Sequence, residues 1–238
     1  MTDRQRAILE AVIREFMKNA DAVGSMDLVS RYEIEASPAT VRHEMVELAD
    51  QGYLVKSHCS SGRIPTDLGI KFFINELMKE EPLENTREVK VRIQLSKNRF
   101  DEEKLMSRVL DFLASETGYA AVSLIGNELR YRGISSLMDY EELRDIDILE
   151  VLLKMLENNA LIKKLMTKEG AKDVYVLVGQ ESNVEGLENC AMVVSGFKGY
   201  GGKQGRLGVL GPRRMHYWRV IPAVKTVTDV VEKTTRGW

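Results

Sequence analysis

Three cations fall within the stretch from Ser37 to Thr66: Arg42, Lys56 and Arg63. The same stretch holds hydroxyls at Ser37, Thr40 and Ser60 and imidazoles at His43 and His58. An arginine guanidinium can donate two parallel N–H bonds to a phosphate or to the edge of a guanine, and serine, threonine and histidine can bond phosphate or base edges singly. The group has no nucleophile–base pair and no metal-ligand spacing. The chemistry it suits is recognition of an anion or a base edge.

Such side chains need a protruding, rigid element. Ser37 can cap a helix by accepting an orphan backbone N–H, and Pro38 fits its first position. Val41, Met45 and Leu48 then recur at i, i+4 and i+7 as one apolar stripe. Gly52 suits a left-handed C-terminal cap. The stripe leaves Ala39, Thr40, Arg42, His43 and Val46 on the free face, a tip suited to a major groove. Upstream, Thr2 and Gln5 fit a capping box, with Ile8, Leu9, Val12, Ile13 and Phe16 as a helical stripe. Gly24-Ser25 opens a short helix through Tyr32. Downstream, Leu54-Val55 and Ile64 are strand-like around the Ser60-Ser61-Gly62 turn, and Lys56 and Arg63 lie within reach of phosphate. Three helices and a two-stranded wing form a winged helix-turn-helix.

The strings carrying this pattern resemble one family. They are Arg4-Gln5-Arg6 with Ile8-Leu9, Val23-Gly24-Ser25, Ser37-Pro38-Ala39-Thr40, Glu44-Met45, Gly52-Tyr53-Leu54 and Gly62-Arg63-Ile64-Pro65-Thr66-Asp67. Residues 1–78 resemble the N-terminal domain of the HrcA family of heat-inducible transcription repressors. Tyr175–Gly179, Glu188–Val193, Leu207–Pro212 and Arg219–Pro222 resemble its C-terminal part. The resemblance implies an α+β chain: an N-terminal winged helix-turn-helix followed by a GAF-like α/β domain lacking the usual inserted domain, its missing segment falling near 127–139. It also implies a cytoplasmic homodimer on double-stranded DNA carrying an inverted repeat of CIRCE type, with assistance from the GroEL chaperonin. His43 stands where the family commonly has Asn, and Cys59 and Ser61 where Thr and Ala are usual. The expected DNA contacts are Ser25, Ser37, Ala39, Thr40, Arg42, His43, Lys56, His58, Ser60 and Arg63.

The expected domains are 1–78, a linker over 79–99 broken at Glu80-Glu81-Pro82, and a regulatory and dimerisation domain over 100–238. A helix is expected over 66–78, with Leu68, Phe72, Phe73 and Leu77 apolar. Phe72, Phe73 and Leu77 could pack onto the first domain or form a dimer surface. The periodicity predicts helices over 100–116, 140–166 (interrupted at Asn158-Asn159) and 213–235, the last kinked or broken at Pro222. Strands are expected at 119–125, 129–134, 174–178, 191–195 and 206–210, with a glycine-dense loop over 196–205.

Net charge is −2, so recognition of DNA needs a locally basic face with the acids turned aside. Glu44, Glu47 and Asp50 balance the three cations between Ser37 and Thr66. The run Gly199-Tyr200-Gly201-Gly202-Lys203 fails as a P-loop, because Phe197 and Gln204 stand where Gly and Ser/Thr belong. The three histidines show no metal-ligand spacing, no nucleophile elbow occurs, and neither an enzyme nor a cofactor is indicated. His216, beside Arg213 and Arg214 at the start of the last helix, calls for an acidic neighbour or an anion. Cys59 and Cys190 form no disulfide framework, and Cys190 is expected buried and inert. No run is long enough to span a bilayer. Two other readings compete: a regulator whose GAF-like domain senses a small ligand, and a winged helix that contacts protein.

Overall fold

The computed structural model describes residues 1–57, 62–167 and 174–235, which divide into a unit of Met1–Lys79 and a unit of Glu80–Trp238. In the first unit, α1 (Asp3–Asn19) begins with the expected capping box: Thr2 accepts from Gln5 N, and Gln5 bonds back to Thr2 N. Ile8, Leu9, Val12 and Ile13 of its stripe are fully buried. They pack against α2 (Ser25–Arg31) and α3 (Pro38–Asp50), whose Leu28, Val41 and Leu48 are equally inaccessible. A short antiparallel pair follows, β1 (Leu54–Lys56) and β2 (Arg63–Pro65).

An ion cluster ties α1 to α2. Glu15 is a charged residue on the buried side of α1, only 6 % exposed. Its carboxylate accepts from Arg31, from Lys18 Nζ at 3.2 Å and from Tyr32 Oη at 3.1 Å. Burial pushes its pKa up, but the bonds from Lys18, Tyr32 and Arg31 outweigh this and hold it below the usual carboxylate value.

The expected helix over 66–78 is only partly regular. Thr66 caps α4 (Asp67–Phe72), accepting from Gly69 N. The chain then widens into a π turn over Phe73–Leu77, closed by Met78 N to Phe73 O at 2.8 Å. Residues 69, 70 and 73 face inward and Leu68 is 54 % exposed, so the stripe starting at Leu68 is corrected. The cause is the close approach of Gly69 to the Tyr53 carbonyl: a β-carbon there would lie 2.2 Å from that oxygen.

The second unit is built on a five-stranded antiparallel sheet in the order β4-β3-β7-β6-β5. Its strands are β3 (Ala120–Ile125), β4 (Glu128–Arg132), β5 (Val174–Val178), β6 (Cys190–Lys198) and β7 (Gln204–Pro212). Alternation along each strand gives the sheet two buried faces. Ala120, Val122, Leu124, Met192, Val194 and Leu210 pack with Leu152, Met155 and Ile162 of α7 (Ile146–Glu157) and α8 (Asn159–Met166). The intervening residues Ala121, Val193, Leu207 and Val209 are also buried. They face the side covered by α6 (Glu102–Thr117) and α9 (Tyr217–Thr235). The architecture is α+β. The interruption expected at Asn158 is present: its side chain accepts from Ala160 N and starts α8.

Five sequence expectations change here. Residues 79–99 contain a helix, α5 (Asn85–Ser96), whose Val91 and Leu95 are buried and which packs on α9. Its charged face hid the second, shorter apolar row. The strands also run through most of the glycine-rich segment, leaving only Gly199–Lys203 as the turn. Gly205 is there for close approach: a β-carbon would lie 2.3 Å from the Phe197 ring lying across it. α9 starts at Tyr217 rather than Arg213, and α7 starts at Ile146 rather than 140. Finally, of the kink or break expected at Pro222, the break does not occur, and α9 continues through it. Proline has no N–H for the carbonyl four residues back. That carbonyl, on Trp218, accepts from Glu81 N at 2.8 Å.

Two outcomes follow. Gly69→Ala is expected to lower stability by about 1–3 kcal/mol, since backbone must move to admit the β-carbon. A urea midpoint equal to wild type would contradict that close approach. Because the Glu15 pKa is depressed on folding, its ion cluster stabilises above the unfolded carboxylate value near about 4.3 and is lost as pH falls through the folded value. Glu15→Gln should therefore be less stable by about 1 kcal/mol near neutrality, the partners being half exposed. The gap should close in acid, and a pH-independent gap in denaturation would refute the assignment.

Candidate nucleic-acid interface

α3 is the element that carries most of the candidate contacts. Ser37 caps it by accepting from Thr40 N at 3.1 Å, and the two hydroxyls lie 2.9 Å apart. At its other end Gly52 adopts φ 82°, with Gly52 N bonding Ala49 O and Tyr53 N bonding Leu48 O. This left-handed double cap stops the helix and turns the chain into β1. Val41, Met45 and Leu48 are buried, while Ser37, Ala39, Arg42 and His43 are exposed. A single hydrophobic stripe thus orients the whole tip.

The acidic residues of α3 are held to one side. Glu44 pairs with Arg4 at 3.6 Å, and Glu47 accepts from Gln5 Nε2 at 2.7 Å. Both partners belong to α1, so each carboxylate is engaged from that helix. His43 Nε2 lies 3.2 Å from Glu47 Oε1 while its side chain is 74 % exposed. The neutral sum of the stretch therefore conceals a separation of charge.

The strand pair adds the remaining cations. Lys56 and Arg63 are register partners directly across the ladder, so their side chains share a face. Like charges in that relation repel. β2 is bridged on its other side to Val23, through Val23 N to Arg63 O at 2.9 Å and Arg63 N to Val23 O at 3.0 Å. Gly62 makes this possible, since a β-carbon would lie 2.9 Å from the Ala22 carbonyl carbon. Its role is close approach. Thr66 fastens the far end by donating to the Gly52 carbonyl at 2.6 Å.

These elements bring Ser25, Arg42 and Arg63 around one cleft of about 230 Å³, together with Asp27 and Met45. Ser25 is 6 % exposed and lines the cleft rather than projecting from it. Asp27 was not among the sequence candidates, because a lone acid in a helix's first turn reads as a dipole partner. Lys56 projects from the exposed strand edge, outside this cleft. His58 and Ser60, and Cys59 with them, lie outside the described residues.

The dimer candidates divide. Phe73 is fully buried within the first unit, with Arg14 over its ring at 5.6 Å. That burial removes it from any surface. Phe72 is half-buried, set between Tyr53 (ring centroids 5.2 Å apart) and Arg6. Leu77 is half-buried. In the second unit, the acidic neighbour anticipated beside Arg213, Arg214 and His216 is Glu142, which pairs with Arg214. Those residues precede α9, and His216 stacks on Trp218. Cys190 is buried, and burial with the nearby Glu188 and Glu142 carboxylates pushes its thiol up to about 12, so it is not a thiolate at neutral pH. No group of metal-ligating side chains occurs among the described residues, nor any helix long and apolar enough to cross a membrane.

Comparison with known proteins places this architecture. The chain is 23 % identical to the heat-inducible transcription repressor HrcA of Pelotomaculum thermopropionicum, covering 100 % of this chain and 99 % of the relative. It is 25 % identical to the protein of the same name from Natranaerobius thermophilus, over 95 % and 94 %. The first alignment spans 343 positions against 238 residues here, so that relative carries roughly a hundred residues without counterpart. A crystal structure of a hypothetical protein shares the fold with a TM-score of 0.79 at 17 % identity, over 99 % and 98 % of the two chains. A family model described as the HrcA protein C terminal domain matches residues 44–221. That match covers well over half of the sequence, and the chain belongs to the HrcA family.

Proposed function

We propose that this protein is a transcriptional repressor that binds double-stranded DNA through a winged helix-turn-helix formed by residues 1–78. The observation carrying this reading is the separation of charge on α3. Arg42, Ala39 and His43 are exposed at its tip, while Glu44 and Glu47 are tied back to α1. The names of the relatives, heat-inducible transcription repressors, support it.

In this reading the N-terminal half of α3 enters a major groove. Arg42 forks onto a guanine edge or clamps a phosphate, and the Ser37–Thr40 hydroxyl pair bonds a phosphate beside it. Lys56 and Arg63 of the wing straddle a further phosphate, and that anion would relieve their mutual repulsion. The carboxylates held against α1 stay clear of the backbone. The operator is an inverted repeat of CIRCE type, read by a homodimer in the cytoplasm, with Phe72 and Leu77 available to the dimer contact. The second unit, α5 included, is a GAF-like regulatory domain, for which the antiparallel order β4-β3-β7-β6-β5 is the supporting observation. Release on heating follows from marginal stability, because a modest rise in temperature depletes the folded, binding-competent population. The GroEL chaperonin would restore it.

The test is a titration of the purified chain against a CIRCE-type repeat and a scrambled duplex at two salt concentrations. Preference for the repeat is expected, and equal binding to both duplexes would overturn the operator assignment. Arg42→Ala should weaken binding to the repeat by about 1–3 kcal/mol if the side chain reads a base edge. An equal loss on both duplexes would place it on a phosphate instead.

A further inference from the structure

The second unit contains a groove that the DNA-binding reading does not use. It lies between α5 and α6 and has a volume of about 800 Å³. α5 contributes Lys90 and Gln94, and its C-cap Lys97 continues that side of the helix at i, i+4 and i+7. Val91 and Leu95, the buried side, anchor that helix. α6 contributes Arg108, Phe112 and Ser115 with the same spacing. Two parallel rows of side chains therefore face one another across the groove.

The charges in it are unequal. Four cations line it against two carboxylates. Both carboxylates are already engaged: Glu116 by Arg87 at 2.5 Å, and Asp111 by Arg132 at 3.2 Å. Lys90, Lys97 and Arg108 have no ion-pair partner among the described residues. Three cations with no acidic partner around one concavity leave it net positive, which favours an anion. Between them, the Phe112 ring is half-buried in the wall and presents an apolar surface. The usual alternative for a ligand, the opposite side of the sheet, is filled by Leu152, Met155, Ile162 and the strand side chains packed on them.

We propose that the α5–α6 groove binds a nucleotide, its base against Phe112 and its phosphates on Lys90, Lys97 and Arg108. A flat aromatic wall favours a base by stacking, and a bare phosphate would leave it unused. Asp111 and Glu116 disfavour a continuous polyanion passing through the groove, yet can accept from ribose hydroxyls or a base amino group. The volume lies within the range of small-molecule sites, about 300–1,000 Å³. The proposal is independent of the DNA-binding reading, whose residues lie in the other unit.

The experiment is calorimetric titration of the chain with ATP, GTP, CTP and UTP, and with inorganic tripolyphosphate as the base-free control. At least one nucleotide is expected to bind with Kd below about 1 mM, and tripolyphosphate at least about tenfold more weakly. Lys90→Ala with Lys97→Ala, both exposed and outside the core, should weaken the nucleotide at least about tenfold with an unchanged circular dichroism spectrum. Phe112→Leu, which keeps an apolar side chain, should weaken the nucleotide while leaving tripolyphosphate unchanged. Failure of all four nucleotides to bind, tripolyphosphate binding as tightly as the nucleotide, or indifference of the affinity to the double lysine variant would each overturn the proposal.

Discussion

What α3 can present to a ligand depends on where two of its carboxylates are held. Glu44 and Glu47 lie one helical turn apart, and both are bonded by side chains of α1's first turn, Arg4 and Gln5. Gln5 is itself fixed by the capping box that starts α1. A local capping interaction at the N-terminus is thereby linked to the electrostatics of a surface more than thirty residues away. The protein has almost no excess charge to spend, so partition of charge replaces quantity of charge.

The same economy governs the glycines. Gly62 and Gly69 do their work by having no side chain, letting β2 approach Ala22 and letting α4 approach the Tyr53 carbonyl. Both contacts lie beside the strand pair, and with Thr66 they fix its base while the cations extend from it. The Glu15 cluster performs a comparable task in the first unit, joining α1 to α2 through one buried carboxylate. Removing that charge would leave three donors with no shared acceptor.

In the second unit the middle of the sheet is covered on both faces, and β3 and most of β6 accordingly read as nearly continuous apolar runs, while the edge strand β4 stays polar and exposed. Pro222 illustrates how distant chain segments resolve a local defect. The carbonyl it leaves unbonded is satisfied by the backbone of Glu81. That bond, together with Val91 and Leu95, draws residues 80–96 onto α9. The segment is part of the folded unit, and its outward faces are left for other use.

The sequence by itself determined the elements whose signals are local. Caps at Thr2, Ser37, Gly52 and Asn158, and stripes such as Ile8–Phe16 and Val41–Leu48, depend on backbone bonds and side-chain periods spanning a few residues. The run 174–178 was legible as a strand for the same reason, and the strings around α3 and Gly62–Asp67 pointed to the family. Tertiary structure decided what depends on partners far along the chain. Phe73 is core rather than surface because Arg14 and α1 cover it, although its spacing alone fits either place. Gly196 and Gly205 lie inside strands, because a glycine that makes room for the Arg206 side chain or the Phe197 ring has the same letter as one that turns a loop. Residues 85–96 form a packed helix because α9 receives their short apolar row. The direction of Glu44 and Glu47, on which the candidate surface rests, follows from the position of α1, and no local pattern in α3 encodes it.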